Sequence, residues 1–151
     1  SNKRIGIIGH GLGGQNAILT AALDHRIAAV VSSCGFTTFP RYKGGKLTDW
    51  AHVRMMPRIQ TDYQNDPAKI PFDFPELIGT LVPRPVFVIA PLHDPIMEVE
   101  GVKSAIASAS GVYQLRKVAG SLRGAHPDCG REFTDVVRAE AYTWLDQRLK
   151  R

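Results

Sequence analysis

The stretch KRIGIIGHGLGGQNAIL, residues 3–19, joins an apolar run to a cluster of glycines and the cluster to a helical pattern. The run RIGIIG predicts a buried strand, and residues 14–23 predict a helix whose apolar side chains share one face. Gly9, Gly11 and Gly14 also form the pattern G-x-G-x-x-G, which binds a dinucleotide when it joins a strand to a helix. The turn is therefore first tested as a nucleotide site.

A dinucleotide site requires an acidic residue near the end of the next strand, about 20 residues on. The next predicted strand, RIAAVVSSCG, ends in Ser32, Ser33 and Cys34 and contains no acid. The nucleotide interpretation therefore fails, and the sequence predicts no cofactor.

Short apolar runs alternate with longer helical patterns along the chain, as in parallel βαβ units. RPVFVIAP predicts the third strand, residues 99–109 a helix, VYQLRKVAG (112–120) the fourth strand, and residues 132–149 the last helix. We expect one α/β domain over residues 1–151, a parallel sheet of about four strands with flanking helices.

The connection over residues 36–74 is rich in proline and aromatic residues. A connection this long is often a lid or a binding loop, although it can also pack over the sheet as a cover. Trp50, Tyr63 and Phe72 within it either line a ligand cleft or fix the connection in place.

Two acid–base candidates follow the later strands. Asp94 lies just after the third predicted strand, in APLHD, and His126 lies after the fourth, in RGAHPDCG. A strand–turn–helix elbow, then an acid, then a histidine is the chain order of α/β-hydrolases, whose elbow carries a nucleophilic serine. The chain resembles the C-terminal half of such a protein, nearest to the dienelactone hydrolase and acetyl xylan esterase-like group. The segments GHGLGGQNAI, NDPAKIPFDFPELI, PRPVFVIAPLHD and HPDCGREF carry this resemblance.

The resemblance implies ester hydrolysis through an acyl-serine, with Asp94 orienting a histidine and the backbone of Leu12, Gly13 and Gly14 facing an oxyanion. Gly11 stands at the nucleophile position, and glycine has no side chain that can attack a carbonyl. We therefore expect catalysis to be absent or vestigial, unless Gly11 is a sporadic change in a competent enzyme. The alternative is a binding or assembly module whose elbow N–H groups hold an anionic ligand.

The position of the histidine is open. Arg131, in CGREF, best fits the place where many relatives have the catalytic histidine, and arginine cannot act as a base at neutral pH. His126 lies five residues earlier and faces either Asp94 or a backbone carbonyl. Asp94 itself could also be a simple turn residue before Pro95.

A complete hydrolase of this fold has more strands before the elbow, and one of them precedes the loop that gives the second oxyanion donor. The predicted strand from Arg4 to Gly9 would then have a free edge, which is a template for association. We expect a homodimer through this strand, because twofold pairs are the commonest assembly. The alternative is a piece of a longer or split protein.

The formal net charge of +5 is spread along the chain and indicates solvated surface, not a nucleic-acid site. The sequence shows neither a membrane-spanning run nor a signal segment, so the default expectation is a cytoplasmic protein that does not bind membranes. Cys34 and Cys129 are expected as free thiols, with Cys34 a core residue and not a nucleophile. A metal site is not expected, because the candidate residues fit no ordinary zinc spacing; they are His93, Asp94, His126, Asp128 and Cys129.

Overall fold

The computed structural model describes residues 4–150. Its centre is a four-stranded parallel sheet in which the strands lie in chain order. The strands are β1 (Ile5–His10), β2 (Ile27–Ser33), β3 (Val86–Ile89) and β4 (Leu122–Ala125). The predicted fold class, a half-sized α/β sheet with flanking helices, is confirmed.

Five α-helices flank this sheet in the described part of the chain. They are α1 (Leu12–Leu23), α2 (Arg58–Thr61), α3 (Phe74–Thr80), α4 (Val99–Leu115) and α5 (Asp135–Leu149). Short 3₁₀ turns cover Tyr42–Gly45, Pro67–Lys69 and Ala119–Ser121. None of the helices within residues 4–150 is long and apolar enough to cross a bilayer.

The two inner strands, β2 and β3, are buried on both faces, as their continuous apolarity requires. Val30 of β2 packs with α1, α3 and α4 on one face, whereas Ala29 and Val31 pack against α5 on the other. This alternation follows from the two-residue period of a strand. Because the strands are parallel, the carboxyl ends of β1, β2 and β3 lie at the same edge of the sheet.

The segment of residues 36–74 packs down over the first of these faces. Phe39, Trp50 and Phe74 are buried and stack edge to face on one another. Asp73 caps α3 in a reciprocal box with Glu76 and accepts the N–H of Phe39 at 2.8 Å. The cap therefore anchors the beginning of the segment to its end.

The prediction of the fourth strand is wrong. Residues 112–115 continue α4, and the strand begins only at Leu122. Tyr113 is fully buried on the same helical face as Ala105 and Ala109, so the apolar residues of this stretch follow a helical period. The observed β4 is a four-residue edge strand, LRGA, and its arginine and glycine interrupt the apolar run by which a strand is recognised in the sequence.

Candidate functional site

The turn between β1 and α1 is a sharp elbow at the carboxyl end of β1, an edge strand of the parallel sheet. Gly11 has φ 57° and ψ −124°, a backbone conformation that side chains rarely adopt. Its N–H donates to the carbonyl of Ser33 at 2.8 Å, and its carbonyl accepts the N–H of Gln15 at 3.1 Å. At Gly9 a Cβ would lie 2.0 Å from the carbonyl oxygen of Gly13, so only glycine permits so tight a turn.

Arg131 lies directly against this elbow. Its Nη1 donates to Oδ2 of Asp94 at 2.7 Å, and its Nη2 donates to the carbonyl of Cys34 at 3.2 Å. A Cβ placed on Gly11 would lie 3.2 Å from the same Nη2. The guanidinium therefore fills the space between the elbow and the acid.

Asp94 is held in place by three donors. Its side chain is only 1% exposed, and besides Arg131 it accepts the backbone N–H groups of Ile96 at 2.9 Å and Met97 at 3.1 Å. A carboxylate this deeply buried needs such compensation. The aspartate accepts turn N–H groups, as the alternative interpretation of Asp94 expects, and it pairs with Arg131 where the first interpretation expects a histidine.

His126 lies away from Asp94. Its Nδ1 lies 3.0 Å from the carbonyl oxygen of Ala90, the backbone contact that the sequence left as the alternative. Arg131 has the place beside the acid instead, and contacts Asp94 from the segment that leads to α5.

The other two histidines near the site are also engaged elsewhere. His93 pairs with Asp128 at 2.7 Å on the surface. His10 stacks on Phe133, with its Nδ1 3.1 Å from Oγ of Ser33. Burial, and after it the charge of Arg131, lowers the pKa of His10, so its ring is neutral at pH 7. Within residues 4–150, no His, Cys, Asp and Glu side chains gather into a group that could hold a metal ion.

Cys34 lies at the end of β2 and is almost fully buried, with a positive φ of 50°. Burial, and after it the negative charge of Asp94, raises the pKa of its thiol to about 12. A thiol is nucleophilic only as the thiolate, so this one is inert at neutral pH. Both cysteines are free, and Cys129 is the more exposed.

Alkylation should separate the two cysteines. With iodoacetamide at pH 8, we expect Cys129 to react within minutes and Cys34 to react only after unfolding, because its thiol is protonated and buried. Mass spectrometry of peptides from native and urea-unfolded protein measures both. Equal labelling of the two in the native state would contradict the burial of Cys34.

A cleft of about 210 Å³ opens over the elbow. Leu12, Gln15 and Arg131 form its inner wall, and the segment of residues 36–74 supplies the opposite wall, including Trp50 and Met55. Asp49 also lines it, but its carboxylate is engaged by Lys43 and by the hydroxyl of Tyr42. The cleft thus presents one charged group at its inner end, the guanidinium of Arg131.

Gln15 is the residue of this site that sequence reasoning missed. The residue as a whole is only 3% exposed, but its side-chain amide is not among the fully buried, unpartnered polar groups of residues 4–150, because it lines the cleft beside Arg131. The amide is therefore free to bind a ligand or water in the cleft. The available signal was spacing, because Gln15 lies one helical turn after Gly11 and so faces the same cleft.

A strand–elbow–helix turn at the carboxyl end of a parallel strand, with a buried acid after β3, defines the C-terminal half of an α/β-hydrolase. Comparisons with known proteins agree with this fold, and several of the similar proteins are esterases. The chain is 29% identical over 147 residues to the Bacillus subtilis (strain 168) protein YtaP, which carries the name of a hydrolase, and covers 46% of it. It is 26% identical over 122 residues to the carbohydrate esterase MZ0003 of an unknown prokaryotic organism, and covers 28% of that protein.

Solved structures show the same fold. A carbohydrate esterase family 15 glucuronoyl esterase from Caldicellulosiruptor kristjansonii superimposes with a TM-score of 0.79 at 22% identity, covering 95% of this chain and 42% of that one. A glucuronoyl esterase from Solibacter usitatus gives 0.76 at 20% identity, covering 98% and 43%. No protein-family model matches the chain. The chain spans less than half the length of each of these relatives.

Proposed function

We propose that this chain is a hydrolase-like protein of esterase descent that binds a small anion at the elbow and does not hydrolyse esters. The observation that carries the proposal is the position of Arg131. Its guanidinium stands between Gly11 and Asp94, where an acyl-serine mechanism needs a serine and a histidine.

Hydrolysis lacks two groups at this site. Gly11 offers no nucleophile, and Arg131 remains protonated, so it cannot take a proton from a hydroxyl or from water. Neither His10 nor His126 replaces the base, since their rings contact Ser33 and Ala90. These contacts support a site that has kept its cleft and lost its chemistry.

Anion binding is favoured by the donors that remain. An arginine has more N–H donors than the two hydrogen bonds to Asp94 and Cys34 use. The first turn of α1 contains no acidic residue, so no side chain of that turn offsets the partial positive charge at the helix N-terminus beside the cleft. Because Asp94 neutralises most of the charge of Arg131, we expect weak binding, with a Kd on the order of 1 mM for a simple anion.

Titration with acetate and with inorganic phosphate tests the proposal. We expect amide chemical-shift changes in Leu12, Gly13 and Gly14, and no hydrolysis of a short-chain aryl ester above buffer. The double variant Asp94→Asn/Arg131→Gln, which removes both charges and keeps polar groups of similar size, should abolish the shifts. Turnover by the unmodified chain, or shifts that persist in the double variant, would contradict the proposal.

The free edge of β1 supports a second proposal, a homodimer through this strand. In the sheet of residues 4–150, β1 pairs only with β2, and Ile5 at its start is 45% exposed. An unpaired strand edge with apolar side chains favours pairing with another strand. A twofold axis at β1 would join two four-stranded sheets into one.

Sedimentation at micromolar concentration measures this association. We expect the unmodified chain to sediment as a dimer and Ile5→Lys to be a monomer, because a lysine on an edge strand opposes pairing of that edge with another strand. Leu23→Lys, at a position 87% exposed at the end of α1, is the matched control and should stay dimeric. A monomeric mass for the unmodified chain would rule the dimer out.

A further inference from the structure

We infer that the ligand of the elbow is a monocarboxylate with an apolar alkyl or aryl tail, its head group at Arg131 and Gln15 and its tail along Met55 and Met56. This inference rests on the proposed anion binding and names the class of ligand. It is carried by a run of connected clefts that begins at the guanidinium and ends among apolar side chains.

The inner end of the run can recognise a carboxylate. Asp94 and the carbonyl of Cys34 fix the plane of the guanidinium, so its remaining donors point in set directions. Gln15 lines the same cleft and makes no side-chain hydrogen bond within residues 4–150, so its N–H₂ group can donate to a carboxylate oxygen. Leu12 covers the entrance beside them.

The clefts lie next to one another along the surface and share lining side chains. Leu12, Gln15 and Met55 line both the inner cleft and a neighbouring one of about 130 Å³. Met55 and Met56 then line both that middle cleft and an outer one of about 320 Å³. The two methionines, with flexible and polarisable side chains, are suited to pack against tails of different shape.

The outer cleft is apolar. Met55, Met56 and Pro57 line one part of it, and the rest is formed by side chains of the same segment, namely Ile59, Tyr63, Ile70 and Phe72, with Arg58 at the rim. The carboxylate of Asp62 already pairs with Arg58. A hydroxyl-rich ligand would find few hydrogen-bond partners here, whereas an alkyl or aryl tail would lose contact with water at no polar cost.

The charges around the run favour one negative group. Arg54 lines the middle cleft, is exposed, and forms no ion pair with any residue from 4 to 150. The acid of the inner cleft, Asp49, is engaged by Lys43. Positive charge is therefore left over along the path that a carboxylate takes to Arg131.

The test is a chain-length series measured by calorimetry or by the same amide shifts. The ligands are acetate, butanoate, octanoate, the neutral octanol, and glucuronate as a polar carboxylate. Each buried methylene contributes up to about a fourfold gain in affinity, and we expect about twofold in a cleft this open. With four more methylenes, octanoate should then bind about 16-fold more tightly than butanoate, and octanol should bind about tenfold more weakly than octanoate.

A matched pair of variants locates the tail. Met55→Asp places a negative charge where all three clefts meet, at a side chain that is 37% exposed, and should remove the gain with chain length. Val53→Asp adds the same charge two residues away, at a side chain that is 77% exposed and lines none of these clefts, and should keep the gain.

Each of the remaining outcomes would contradict a specific part of the inference or of the proposed function. Equal affinity for acetate, butanoate and octanoate, or tighter binding of glucuronate, would overturn the apolar tail and leave the proposed anion binding intact. Equal affinity for octanol and octanoate would overturn the head group at Arg131. No binding of any anion in the series would overturn both the inference and the proposed function.

Discussion

The double variant Gly11→Ser/Arg131→His should hydrolyse a short-chain aryl ester slowly, whereas each single variant should stay at the rate of buffer. Serine alone would place its Oγ beside the guanidinium of Arg131, which cannot accept its proton. Histidine alone would lack a nucleophile. Only the pair, with Asp94 already buried and anchored, assembles the three groups of an acyl-serine mechanism.

The expected rate is small for two reasons. The chain retains the elbow N–H of Leu12, and removal of one oxyanion donor costs about 3 kcal/mol of transition-state stabilisation. Serine at position 11 must also adopt the strained backbone of Gly11, at a cost of roughly 1–3 kcal/mol in stability. We therefore expect turnover on the order of 10⁻² s⁻¹, against about 10 s⁻¹ for an average enzyme.

Gly11→Ser/Arg131→Gln is the matched control, because it supplies the serine and removes the guanidinium without adding a base. It should be inactive. A burst of released phenol, equal to the enzyme concentration, would show that the variant Gly11→Ser/Arg131→His forms an acyl-enzyme. Hydrolysis by Gly11→Ser alone would instead mean that His10 or His126 moves to act as the base.

Arg131→Met should lower the free energy of unfolding by about 3–5 kcal/mol. The side chain of Asp94 is 1% exposed, and without Arg131 only two backbone N–H groups would compensate its charge. For a domain of this size the loss corresponds to a fall in Tm of about 10 °C. Urea denaturation followed by tryptophan fluorescence measures it directly.

Removal of the acid as well should recover most of this loss. In Asp94→Asn/Arg131→Met the buried charge is gone, and the asparagine oxygen still accepts the N–H groups of Ile96 and Met97. Arg26→Met, which breaks the exposed pair with Asp24, is the control and should leave the stability almost unchanged, because solvent screens an exposed pair. An equally small effect at Arg131 would mean that Asp94 is compensated by something other than the guanidinium.

The sequence was sufficient for most of the fold because local patterns and tertiary contacts agree there. The first three strands are continuous apolar runs, and the glycines at 9, 11 and 14 predict a tight turn between a strand and a helix. The prediction of β4 from the sequence failed for two reasons. This edge strand of four residues has no apolar pattern, and the preceding helix contains residues that also favour strands.

The candidate site could be predicted in part. Gly11 and Asp94 follow from their positions after strands, since the ends of parallel strands meet at one edge. Gln15 carries no comparable signal, because an amide on a helix is ordinary until the structure shows that it lines the cleft beside Arg131. The connected clefts depend on how the segment of residues 36–74 packs, and its sequence is compatible with several packings.

The amino-acid sequence by itself determined the missing nucleophile, since no fold can give glycine a side chain, and it named the two candidates for the histidine position. Only the tertiary structure decided between them. His126 and Arg131 are five residues apart in one segment, and which of them reaches Asp94 depends on where the backbone turns. Such distances are set by packing across the whole sheet, and sequence spacing does not record them.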